Sequence, residues 1–575
     1  MPHTASRTAA RLAVRSLTSA GLLLALLLGL PRVAVAQEDP VKSAPTVHAV
    51  LQSADGILVD LKTLLDLTSP TEKKQWENVE GIIETFLFGI DRTKPVGVEI
   101  ILGGDEERFR FALPIDNLKT FVDENLGGFE ITSRRIGNGL YRLSEQKDTL
   151  GYMRVAKGYA TISEQRAEVS VAVTPQAKMP ELLAKRYGLA ARISNKAGGE
   201  AARRRAFQPV RRNLLAATKA KKGESADSLA FRKTFLGFEL SEAERFFAES
   251  QSLTTGLKLD KQAKAAFIDI DLTALAGSSL DKSIKELGTS PSHFHSVPRS
   301  DDAILSGRLH HPLDAFRRTG LTAVLASARA AIHDEIQQKA EATDAQKAAS
   351  IKLLDTVVAV TQSGLDKGYL DSFLDVRPAP TGNHVMVGAI RTVQGARLRE
   401  ALAAAPASTL AANVTLDTEK AGNVQIHSIA VPATYQSDFE SLFGKSNTLL
   451  IGTSDDAAWC AAGPGALEAL KTAIAAQATV QDAKADPVFV DLQVKLGPWL
   501  KLLDARLADA KPGTPAAESA ADRKLALSAF AAGGDTLGLQ LRRKGDGVVG
   551  RTTLGTGVLR FLGKVIAKFS KENFE

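Results

Sequence analysis

The feature that most limits what this chain can fold into is a plan of elements that occurs twice. Residues 96–164 read as strand (VGVEIIL), turn, strand (RFRFALPI), helix (DNLKTFVDENL), then two hairpin-like runs, FEITSRRIGNGLYRLS and LGYMRVAKGYATISE. Residues 371–463 return to that order with SFLDVRP, APTGN, HVMVGAI, the helical GARLREALAAA, and the runs VTLDTEKAGNVQIHSIAVP and TLLIGTSDDAAWCAAG. The closing hairpins also correspond. Pairing Leu257 with Leu539 gives an offset of 282, and pairing Gly137-Asn138 with Gly422-Asn423 gives 285. A plan returning at a nearly constant offset predicts a tandem duplication. Short connections between strands predict antiparallel sheets with helices packed on one face, because parallel strands need long crossovers. The expected fold class is therefore α+β.

The expected divisions follow from composition along the chain. Residues 1–36 carry Arg7, Arg11 and Arg15, then the apolar run AGLLLALLLGL, then AVA before Gln37. That is the layout of a secretory signal cleaved near Ala36-Gln37, and the run is short of the ~20 apolar residues a span needs. Cleavage removes four arginines and no acid, so the formal charge falls from +7 to +3. Residues 37–47 are expected to be a mobile lead, 48–288 the first α+β repeat, and 304–575 the second. Residues 289–303, with Pro291, Pro298 and several serines, read as a linker. A single cysteine, Cys460, excludes an internal disulfide and fits a buried structural thiol in a strand. An exported chain without disulfides is expected in the periplasm or outside a bacterial cell.

Several motifs are better explained by local structure than by chemistry. GGDEE at 103–107 has the look of a cyclase signature but sits in a hairpin turn. The glycines at 545, 547 and 550 satisfy GxGxxG, yet a return strand follows them where a phosphate site needs a helix. Ser279 and Lys282 form an SxxK, with Ser279 expected as a helix N-cap. His293, His295, His310 and His311 cluster around the linker. HxH spacing could bring two imidazoles to a metal, but solvated loop histidines are the expectation. No cofactor or metal is expected. The densest charge is basic: Arg203, Arg204, Arg205, Arg211, Arg212, Lys219, Lys221 and Lys222, on an expected helix over 201–222 that Pro209 should break or kink. Outside the cytoplasm its partners would be anionic lipid or polysaccharide of the envelope, not nucleic acid.

The signal ending AVA-QE, the run GVEIIL…RFRFALPI…FVDENL, and GLYRL…GYMRVAKGYATISE resemble a group of large exported planctomycete-type proteins of unknown function. These share a duplicated, DUF3352-like layout. The resemblance covers most of the mature chain and implies no catalytic residues. The expected role is a non-enzymatic envelope protein, a binding or scaffolding module acting through its surface. A carrier holding an apolar or lipid ligand in a sheet-lined cavity is the alternative. A hydrolase with a dispersed site stands behind both, because triads are assembled in space. An enzyme would show a polar pocket with clustered carboxylates or histidines, a carrier a large apolar cavity, and a scaffold neither.

Overall fold

The computed structural model describes residues 46–101, 108–194, 199–478, 485–507 and 519–574. The expected signal, most of the lead, and the GGDEE turn at 103–107 lie outside the described residues. The chain is α+β and divides into two compact units, each discontinuous in sequence. The first comprises residues 1–210, 250–272 and 554–575, and the second 211–249 and 273–553. The division 48–288 and 304–575 follows element order instead, so it differs from the units by the segments exchanged.

The strands of the first unit are β1 (Thr46–Leu51), β2 (Val96–Ile101), β3 (Arg108–Pro114), β4 (Ile131–Gly137), β5 (Leu140–Glu145), β6 (Asp148–Ala156), β7 (Tyr159–Ser163), β8 (Leu189–Ser194), β9 (Ser250–Asp260) and β10 (Ala265–Ala274). Their neighbour order is β4-β5-β6-β7-β3-β2-β1-β8-β9-β10. β1 lies between β2 and β8, and Val47, Ala49 and Val50 on it are buried. β4, at the far end, is mostly exposed. Lys157 and Gly158 both adopt positive φ between β6 and β7, the geometry of a two-residue hairpin turn, and glycine tolerates it without cost.

Two helices, Ala54–Asp66 and Pro70–Thr85, connect β1 to β2. Ser69 accepts from the Glu72 N–H while the Glu72 carboxylate accepts from the Ser69 N–H, and Pro70 occupies the first helical position. This reciprocal cap satisfies two backbone donors that the first turn leaves open. The closing helix Thr556–Phe574 packs on both, with Ala567 set against Leu58, Leu65 and Trp76. Gly563 lets the backbones approach: a Cβ there would sit 2.5 Å from the Leu64 carbonyl oxygen and 2.7 Å from Thr68 Cγ2. Gly563→Val is expected to cost about 1–3 kcal/mol through overpacking, read as a lowered urea midpoint.

In the second unit the strands are β11 (Leu305–Pro312), β12 (Tyr369–Pro378), β13 (His384–Arg391), β14 (Asn413–Ala421), β15 (Val424–Ala430), β16 (Thr448–Thr453), β17 (Ala457–Ala462), β18 (Val488–Lys495), β19 (Thr536–Lys544) and β20 (Gly547–Leu554). The neighbour order is β14-β15-β16-β17-β13-β12-β11-β18-β19-β20. Again two helices, Ala315–Gln338 and Asp344–Lys367, connect the first strand to the second. Helix Ala226–Glu249 packs along the first of them. Its Arg245, 1% exposed, donates to Asp314 and to the Ser279 carbonyl and hydroxyl. Phe294, Phe373, Trp459, Ile426 and Leu470 belong to the core on this sheet.

Three local expectations are corrected. Residues 289–303 are a packed strap and not a linker: Phe294 is 0% exposed, its ring edge-on to Trp459 at 5.5 Å and tilted on Phe373 at 5.2 Å. The prolines and serines bend the backbone, while Phe294 and Val297 bury the apolar surface that holds it. The cap of helix Ser279–Glu286 is Ser278, whose Oγ accepts from the Asp281 N–H; the Ser279 hydroxyl instead donates to Glu249. Helix Glu200–Ala217 includes Pro209 and ends short of Lys219, Lys221 and Lys222, so the expected helix over 201–222 is shorter than its basic run.

Candidate functional site

The site grows from the register of β11 against β12. Successive strand residues face opposite sides, so His310 and His311 diverge. His310 lies directly across from Asp371 on β12, its Nδ1 3.1 Å from Asp371 Oδ2. Both are buried, His310 to 8% exposure and Asp371 to 1%. The strap closes over this pair. Ser292 Oγ donates to Asp371 Oδ1 at 2.7 Å and the His293 N–H to Oδ2 at 2.7 Å. Two residues earlier, exposed Ser290 places its Oγ 3.2 Å from His310 Nε2.

The Asp371 carboxylate is surrounded by donors. Burial works to raise the Asp371 pKa, but hydrogen bonds from His310, Ser292 and the His293 N–H outweigh it and hold the carboxyl below its ordinary value. The His310 ring thus has its Nδ1 on the carboxylate side and its Nε2 on the side of the Ser290 hydroxyl. The result is a hydroxyl–imidazole–carboxylate chain running from the surface to the sheet.

A pocket of about 250 Å³ adjoins it, bordered by His310 and Ser292, by Val297 to Arg299 of the strap, and by Val488 to Asp491 on β18. Arg308, also on its wall, is held by Asp375 at 2.9 and 2.7 Å and lies 4.9 Å over the Phe373 ring. Arg299 pairs with Asp491 at 2.7 Å. The wall is thus apolar at Val488, Phe489 and Val490 on β18 and at Phe294, Val297 and Leu309, with the Arg308–Asp375 and Arg299–Asp491 pairs beside it.

Of the other histidines, His293 and His311 correct the expectation of solvated loops, while His295 is exposed as expected. His293 is half-buried, with Nε2 3.1 Å from Gln477 and 3.4 Å from Asp456; burial lowers its pKa, and Asp456 opposes that. His311 has its Nδ1 2.7 Å from the Pro312 carbonyl oxygen. Burial, then the Arg317 charge, push it down to about 4. As pH falls from about 6.5 to about 4 the unfolded chain takes up a proton there that the folded chain refuses. Stability is therefore expected to fall across that window and to stop falling from this cause below it. The lowering to about 4 corresponds to a loss of roughly 3 kcal/mol. Urea titrations at several pH values should show the decline, shallower in His311→Asn. Some slope should remain, because burial also lowers His427.

The first unit holds a related pair. His48 on β1 lies across from Glu99 on β2, Nδ1 to Oε1 at 3.2 Å, with Glu99 2% exposed. There Arg110 takes the second carboxylate oxygen, and Glu168 joins Arg108 and Arg110.

The basic residues are dispersed. Arg203 is 2% exposed, so it does not face a surface, against expectation; burial lowers its pKa. Arg204 pairs with Glu200, and Arg211 donates to Ser241 and lies 3.5 Å from Glu244. Arg205, Arg212, Lys219, Lys221 and Lys222 are exposed. Those up to residue 210 belong to the first unit and the rest to the second. Cys460 is half-buried in β17, where burial raises its pKa.

Among the described residues no three metal-capable side chains are grouped to hold an ion, and no helix is long and apolar enough to cross a membrane. No family model matches the chain, and no curated protein or solved structure is significantly similar to it.

Proposed function

We propose that the chain is an exported envelope protein acting as a binding module, which takes a small amphipathic ligand in the pocket of the second unit. The observation that carries this reading is the pocket itself, with an apolar wall that includes β18 and the two ionic pairs beside it. Its size speaks against a lipid carrier, since pockets for drug-sized ligands run from ~300 to ~1,000 Å³. Export rests on residues 1–36 and on the resemblance to exported planctomycete-type proteins. Ligand-observed NMR with ethyl butyrate and 4-phenylbutyrate tests the binding. Saturable binding lost in Val490→Trp, which fills the pocket from β18, is the expected result. Absence of binding by both probes would overturn it.

A second reading is contact with anionic lipid or polysaccharide of the envelope through Arg212, Lys219, Lys221 and Lys222, favoured by their exposure in the second unit. Sedimentation with phosphatidylglycerol vesicles should then depend on salt and be lost when the three lysines become glutamates.

We infer also that the units arose by tandem duplication. In support, both follow one neighbour order, both place two helices after the first strand, and both set a histidine on that strand opposite an acid on the second. Gly137-Asn138 and Gly422-Asn423 fall at the same hairpin of each unit, and Leu257 and Leu539 on corresponding strands.

A further inference from the structure

We propose that Ser290, His310 and Asp371 form an acyl-transfer site, with Ser290 the nucleophile, that hydrolyses small carboxylic esters held in the adjoining pocket. The inference rests on the reading of that pocket as a binding site.

Geometry carries it. Ser290 Oγ meets His310 Nε2 at 3.2 Å and His310 Nδ1 meets Asp371 at 3.1 Å, the order and spacing by which an imidazole takes a serine proton while a carboxylate holds its tautomer. The exposures are graded as that chemistry needs, with the hydroxyl exposed and the carboxylate sealed. Fastening the strap does not require Ser290. Ser292 and the His293 N–H already bind it to Asp371, and an exposed hydroxyl could be satisfied by water. Its approach to Nε2 is therefore not explained by packing. His310 itself forms part of the pocket wall and Ser290 does not, so an ester would have to extend from the pocket past the His310 ring to meet the hydroxyl.

In the reaction Ser290 Oγ bonds to the ester carbonyl carbon as its proton passes to His310 Nε2. The carbon–alkoxy bond then breaks, and the departing oxygen takes that proton, leaving alcohol and an acyl-serine. Water attacks the acyl carbon with its proton going to Nε2, and the proton returns to Ser290 Oγ as the acid leaves. The net change is ester and water to acid and alcohol. Pro291 has no N–H, so the oxyanion is not held by the residue after the nucleophile. The positive groups on the pocket are Arg299 and Arg308.

The test uses the mature full-length protein with a fluorophosphonate probe and p-nitrophenyl butyrate. The probe should become bonded to Ser290, located by peptide mass spectrometry. Ser290→Ala should abolish labelling and lower hydrolysis by about 100-fold or more, with an unchanged circular dichroism spectrum. Asp371 positions the imidazole, so Asp371→Asn should lower kcat with little change in KM and displace the imidazole step in the pH–rate profile. If Asp371→Asn does not fold, His310→Gln removes the base itself, and hydrolysis should fall about 100-fold or more with the imidazole step gone from the pH–rate profile. Binding of 4-phenylbutyrate without Ser290 labelling would overturn the nucleophile and leave the binding reading standing. Loss of both overturns both, and hydrolysis that survives Ser290→Ala refutes the assignment.

Discussion

Replacing Phe294 with alanine is expected to lower the stability of the second unit by about 3–5 kcal/mol, as large-to-small changes at buried aromatics do. The ring is fully buried between Phe373 and Trp459, and Val385, Val387 and Ile426 complete the cluster. Removing it leaves a void that the sheet cannot close, because the surrounding side chains are fixed on β12, β13, β15 and β17. The edge-on contact with Trp459 adds to the loss. The exposed neighbour His295 gives the control: His295→Ala should stay within about 0.5 kcal/mol. Urea unfolding followed by circular dichroism measures both. Equal midpoints for the two variants would show that the segment lies loosely on the sheet.

Asp371→Ala should cost a similar amount, about 3 kcal/mol or more, by a different route. Its carboxylate accepts from the His310 ring, the Ser292 hydroxyl and the His293 N–H, and each buried donor left without an acceptor costs about 1–3 kcal/mol. The loss has a pH signature. A carboxyl held below its ordinary pKa contributes stability that is present above the unfolded value of 3.8 and is lost as pH falls through the folded value. The wild type and Asp371→Ala should therefore differ most near neutrality and converge in acid. A constant difference at all pH values would mean that the carboxyl is not ionised in the folded protein.

What the sequence disclosed and what it hid have separate physical causes. The antiparallel hairpins were legible because alternation and turn residues act within a few positions, as at Lys157-Gly158 and Gly422-Asn423. The strap was not, because Ser and Pro mark its composition while two residues, Phe294 and Val297, carry the apolar surface that buries it. His310 stood out as one histidine of a cluster, but its partner Asp371 lies 61 residues away and is found only through the pairing of β11 with β12. Ser290 carried no motif at all, since its neighbours in the chain say nothing about an imidazole folded against it. The basic run failed in the opposite sense. Its charges are dense in sequence, yet Arg203 is buried and Arg204 and Arg211 are paired.

Everything assigned to the second unit's site depends on the strap being clipped to Asp371, and amide hydrogen exchange at His293 tests that most directly. Its N–H donates to a carboxylate that is 1% exposed, so strong protection is expected, lost in Asp371→Ala. Exchange at the rate of an open loop in the wild-type protein would contradict it, and the relay of Ser290, His310 and Asp371 would have no support to stand on.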